Sequence, residues 1–232
     1  DPAYAADLQA MRAAMDNALI PPPPPSNAVV ITGGEGYRML TVGAEGLTVG
    51  ALAVQNLVAW LPGQYQDQPL TLQTRFDGRN WQAPASLADP LTPGHGMWWY
   101  FHDDTYTPPG SGVGRSVSLP FTLTGGGHPA ITSDVTVTLH SDGTRYNALG
   151  NPFGVPLDLR TMASWAGAEH IKPKGFVWDA DRSKWTLGKT APPWGGFAVR
   201  ANRRTGGETL TIPYPAATKA ASMDLPTEPR IA

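Results

Sequence analysis

The chain has 232 residues, enough for one large or two small domains, with 17 Lys and Arg against 19 Asp and Glu and no cysteine. A net charge of −2 supplies no basic field for nucleic acid or anionic lipid, and the lack of cysteine excludes disulfides, thiolate metal sites and cysteine nucleophiles together. Gly 26 and Pro 24 make the sequence rich in turns, while its Trp 8 supply core material, so a globular fold standing on packing alone is expected. No apolar run reaches the roughly 18 residues that span a bilayer. The chain opens on Asp1 without a charged-then-apolar signal, so it reads as a mature or excised segment of something longer.

Residues 1–26 differ from the rest. Leu8, Met11, Met15 and Leu19 recur at helical spacing, predicting an amphipathic helix over 4–19. Pro21 to Pro25 then form a stiff polyproline spacer of roughly 15 Å. Two readings stand: a solvated linker, or a helix whose four apolar side chains dock on a neighbouring chain or module.

From Ala28 the texture becomes β. Ala28 to Thr32 and Tyr37 to Val42 flank a glycine-rich turn and are expected to pair as a hairpin. Thr48 suits the cap of a short helix running to about Ala59. Leu70 to Phe76 and a strand from Trp81 flank Asp77-Gly78-Arg79-Asn80, whose Asp-Gly pair is hairpin chemistry. Met97 to Phe101 is an aromatic strand, and Ser116 to Leu123 another. The stretch from Tyr146 to Asp158 joins a strand end, a turn fixed by Gly150, Pro152 and Pro156, and a helix start at the Asp158 cap, leading to Trp165. The tail, 217–232, contains Pro226 and Pro229 and is expected to run extended along a sheet edge.

The order of features repeats. Arg145 to Gly150 echoes Arg38 to Gly43, Phe176 to Asp179 with Trp185 echoes Phe76, Asp77 and Trp81, Pro193 to Phe197 echoes Pro93 to Met97, and Leu210 to Pro213 echoes Val117 to Pro120. Two copies of one unit are therefore expected, over 27–126 and 127–216. The fold class is mainly β: two tandem antiparallel β-sandwich modules, each with one short helix.

Gly36-Tyr37-Arg38-Met39-Leu40, Tyr146-Asn147-Ala148-Leu149-Gly150-Asn151-Pro152-Phe153, Val177-Trp178-Asp179 and Pro193-Trp194-Gly195-Gly196-Phe197 together resemble the "GWRML … GWNLLGNPY … VYVWD … PGQGFWV" pattern of certain modules. These occur in large secreted or surface proteins of Bacteroidota and allied bacteria, often as type IX secretion cargo. The resemblance covers about residues 33 to 213 and departs from the pattern where Arg145-Tyr146 stands for Gly-Trp. It implies an extracellular or cell-surface location and a non-catalytic structural or assembly role, with other subunits or neighbouring modules as partners.

The residues themselves supply little chemistry. His102-Asp103-Asp104 points to alternate faces of a strand, and Asp179-Ala180-Asp181 imitates the start of a calcium loop without its later ligands, leaving Asp179 and Asp181 as weak cation candidates at a hairpin tip. Gly110 to Gly114 lacks the centred serine of a nucleophile elbow. No enzyme, cofactor or nucleic-acid partner is expected. The alternatives are a carbohydrate-binding module with exposed aromatics, and part of a secreted hydrolase. Laying Pro93 on Pro193 puts Met97, Trp99 and Phe101 in the core and leaves Trp98 and Tyr100 on the outer face, as a contact surface for protein or glycan.

Overall fold

The computed structural model describes residues 27–34, 36–56, 72–86, 88–101, 120–140, 143–202 and 207–215. The expected helix over 4–19 with Leu8, Met11, Met15 and Leu19, the tail, His102-Asp103-Asp104 and the 110–114 loop lie outside them. The architecture is mainly β, in several antiparallel sheets. The first half of the chain contributes β1 (Ala28–Ile31), β2 (Gly36–Leu40), α1 (Val49–Asn56), β3 (Leu72–Gln73), β4 (Arg75–Phe76), β5 (Trp81–Gln82), β6 (Met97–Phe101) and β7 (Phe121–Thr124). The second contributes β8 (Val135–Thr138), β9 (Tyr146–Gly150), β10 (Leu157–Asp158), β11 (Ile171–Asp179), β12 (Lys184–Leu187), β13 (Thr190–Ala191), β14 (Gly196–Ala201) and β15 (Thr209–Ile212). No helix among the described residues is long and apolar enough to cross a membrane.

β1 and β2 do not form the expected hairpin. β1 pairs with β7, whereas β2 pairs with β6 in a sheet of order β2-β6-β3. The chain changes sheets between Thr32 and Gly36, and the corner is held by Arg38, whose guanidinium donates to the carbonyls of Thr32 (3.0 Å), Gly34 (2.6 Å) and Tyr37 (3.2 Å). A guanidinium engaged by three corner carbonyls satisfies backbone that a tight hairpin would have paired by itself. Thr48 does cap α1, its hydroxyl accepting from Ala51 N at 3.2 Å. The Asp77 carboxylate likewise accepts from the amides of Arg79 (2.8 Å) and Asn80 (2.7 Å), forming the β4–β5 turn.

Asp158 caps a helix, its carboxylate accepting from Arg160 N, but the helix is of the 3-10 kind over Leu159–Ser164 and not α. The Thr161 hydroxyl donates to Asp158 O and the Ser164 hydroxyl to Thr161 O, both three residues back, which favours the tighter winding.

Two apolar clusters fill the interior. One gathers Leu40, Val42, Leu47, Leu52, Leu72, Met97, Trp99, Phe101 and Leu123; the other gathers Val137, Leu149, Phe153, Met162, Trp165, Phe197, Val199, Leu210 and Ile212. The pairing β2–β6 has its counterpart in β9–β14, and β1–β7 in β8–β15. With Met97 laid on Phe197, the cross-strand partners place Tyr37 on Tyr146 and Leu40 on Leu149. The match of Arg38 with Arg145 is therefore two residues out of register, and β7 begins after Pro120, whereas the expected counterpart of Leu210 to Pro213, Val117 to Pro120, ended on it.

Candidate functional site at the junction of the halves

The turns preceding β6 and β14 cross over. Gly96 N donates to Ala148 O and Gly150 N to Gly94 O, both at 2.9 Å, so the first-half turn sits on the edge of β9. Thr41 N donates to Trp194 O at 2.8 Å, so the second-half turn sits at the end of β2. The exchange reaches the cores. Trp194, fully buried, belongs to the apolar cluster of the first half, where Gly43 leaves it room: a Cβ there would overlap the indole nitrogen. At the equivalent place in the first half, Gly94 rests against Val135 and Val137 of β8. Both turns require a left-handed residue, φ 83° at Gly94 and φ 56° at Trp194, and in the second the burial of a ring outweighs the backbone cost.

The outer faces of the two larger sheets then oppose one another. Met97, Trp99 and Phe101 point inward and are almost fully buried, while Trp98 and Tyr100 lie half-buried on the other face. Trp98 meets Tyr37 and Trp81 at 5.9 Å and, from the second half, Trp178 at 4.8 Å and Trp185 at 5.7 Å, all edge to face. Tyr37 and Tyr100 stack edge-on at 4.8 Å. The Trp178 indole N–H donates to Tyr37 O at 3.1 Å, which satisfies its one polar group within this aromatic nest. Trp98 is thus covered by the β11–β12 hairpin.

Beside this nest lies a cleft of about 520 Å³ walled by Phe76, Trp81, Trp98, Tyr146, Phe176 and Trp185 and floored by Ala148 and Ala198. Tyr146 and Trp185 are 40% and 39% exposed, so the cleft opens to solvent through aromatic lips. A second cleft, about 610 Å³, includes Arg75, Asp89, Thr92, His95 and His140 and shares Phe76, Asn147 and Ala148 with the first. Asp89 is occupied, accepting from Ala85 N (2.7 Å) and the Ser86 hydroxyl (3.0 Å), which holds its carboxyl below the usual range.

Asp179 and Asp181 lie at the β11–β12 hairpin tip. Asp179 accepts from Arg182 N and faces the Arg182 guanidinium at 3.5 Å, and Asp181 lies near enough to Arg38 to support its charge against burial. Each carboxylate thus has an arginine beside it. The Ala148–Ala198 floor and the Trp194 crossover carried no signal in the sequence pattern except the missing bulk at two strand positions. Comparison of the chain with family models, with curated proteins and with solved structures returns no match.

His95 gives the junction a pH dependence. Burial, and then repulsion from His140, hold its imidazole below the ordinary range. The folded chain therefore keeps it neutral while the unfolded chain takes up a proton, so its contribution is intact above about pH 6.5 and is lost as pH falls through the folded value. Urea midpoints measured near about pH 7.5 and pH 5 should fall more on acidification in the parent than in His95→Gln; equal falls in both would remove His95 from the account.

Proposed function

We propose that the chain is a non-catalytic structural and assembly segment of a secreted or cell-surface bacterial protein, built as two tandem β-sandwich modules that act through protein contacts. The resemblance of its strand and turn motifs to modules of large exported proteins supports the source and location. The observation that carries the structural role is the junction: exchanged turns, the Trp194 plug and the aromatic nest make one stiff unit of two cores, as a spacer or scaffold requires. The rival carbohydrate-binding role of Trp98 and Tyr100 needs open ring faces, and the rings set edge-on around Trp98 favour the structural role over it.

Calorimetry tests this. A rigid unit should unfold in a single transition whose calorimetric and van't Hoff enthalpies agree for the two cores together. Two separate transitions would overturn the rigid-unit reading. Retention on immobilised glycan that Trp98→Ala abolishes would replace it with the sugar-binding one.

A further inference from the structure

Corresponding positions can be compared on the outer faces that the two halves turn towards one another, and there one cross-strand pair differs sharply in bulk. With Met97 on Phe197, Trp98 falls on Ala198; because Met39 pairs with Trp98 and Ala148 with Ala198, Met39 falls on Ala148. The first half thus sets a methionine and an indole on its outer face, and the second sets two methyl groups there. At the other outward-facing positions of these strands the correspondence keeps its bulk: Tyr37 falls on Tyr146, and Tyr100 on Arg200, whose guanidinium lies 5.9 Å from the Tyr146 ring centre. The aromatic cleft lies over Ala148 and Ala198, where the indole of the first half has no counterpart.

From this we infer that the cleft is a binding site for a planar aromatic ring of about indole size. Its volume, about 520 Å³, lies within the roughly 300–1,000 Å³ typical of ligand sites. Phe76 and Trp81, 5.0 Å apart, and Phe176 with Tyr146, 6.4 Å apart, offer ring faces and edges on opposite sides, as the Trp178–Trp185 hairpin does around Trp98. Besides the aromatic side chains, the lining carries polar side-chain groups at Thr144 and Asn147, and both are engaged. The Thr144 hydroxyl donates to Gly78 O at 3.0 Å, and the Asn147 amide exchanges two bonds with the His140 backbone. A sugar ring entering here would lose hydration from many hydroxyls and meet mostly aromatic carbon, whereas an arene loses little. The ring can come as a free aromatic compound or on a polypeptide side chain.

Titration of the whole chain against 5-fluoroindole, followed by fluorine NMR, tests the site, with N-acetyl-tryptophanamide and methyl β-glucoside as further probes. Saturable binding of fluoroindole is expected. Ala198→Trp, which supplies the absent indole, should weaken it at least about tenfold, and the milder Ala148→Met should do so in part. Should Ala198→Trp fail to fold, Ala148→Met alone decides. Binding of both aromatic probes assigns the site to peptide-borne rings as well; binding of fluoroindole alone assigns it to free compounds. No saturable aromatic binding, affinity unchanged by filling the cleft, or tighter binding of the glucoside than of fluoroindole would overturn the inference.

Discussion

Trp194→Ala is expected to cost about 3–5 kcal/mol, the range for deleting a fully buried ring from a packed core. The loss should spread further than an ordinary core deletion, because the backbone of Trp194 belongs to the turn before β14 while its ring completes the other half's cluster. Gly43 supplies the control. Gly43→Ala in the parent drives a methyl into the indole and should be severely destabilising; in the Trp194→Ala background that obstruction is gone, and the same change should cost little. A coupling of at least about 1–3 kcal/mol between the two positions follows, read from urea denaturation of the parent, both single variants and the double variant. Trp194→Phe should recover much of the loss, since the indole N–H finds no acceptor among the described residues. Equal effects of Gly43→Ala in both backgrounds would show that something other than Trp194 demands a glycine there.

The mainly β character and the facing of β6 were legible because alternation is a local signal: Met97, Trp99 and Phe101 fall two apart, and a strand points them one way. Cap and turn chemistry at Thr48, Asp77 and Asp158 was legible for the same reason, each carboxylate or hydroxyl bonding an amide two or three residues on. Pairing was less so. Ala28 to Ile31 is β-branched and flanks glycines, yet whether it pairs with its neighbour or with Phe121–Thr124 is decided by which sheet the core needs, and Arg38 carries the deciding bonds. At β9 the sequence echo lies two residues from the structural correspondence, because two arginines and two glycines align more conspicuously than the tyrosines that share a structural place. The candidate cleft depends on what is missing at Ala148 and Ala198. Small residues carry no pattern until a register exists to compare them with Met39 and Trp98. The destination of Trp194, a core otherwise built by the first half of the chain, is a long-range fact of packing with no local trace.

A different kind of dependence centres on Asn151, in the glycine- and proline-punctuated turn after β9. Its side chain is fully buried and bonded at both ends: the two N–H groups of Nδ2 are shared among Val155 O (2.8 Å), Pro192 O (3.0 Å) and Ala191 O (3.1 Å), and Oδ1 accepts from Phe153 N (3.1 Å). Its backbone amide also donates to Gly195 O at 2.9 Å. One amide therefore ties the turn to β13 and to the segment that delivers Trp194. Asn151→Ala would take the side-chain donor from Val155 O and Ala191 O and the acceptor from Phe153 N, while Pro192 O keeps the Gly195 amide; with about 1–3 kcal/mol for each group left unsatisfied in the interior, a loss of about 3 kcal/mol or more is expected. Asn151→Asp keeps the shape but cannot donate when ionised, and its carboxylate would face three carbonyl oxygens. Burial and those oxygens would raise its folded pKa above the ordinary aspartate value of about 3.9, so the unfolded chain would lose its proton first. The variant should accordingly lose stability as pH rises from about 4 towards 7, the reverse of the His95 effect. Urea midpoints across that range distinguish the two: an Asn151→Asp variant no less stable at neutral pH than in acid would mean that the amide's donors are not what the turn depends on.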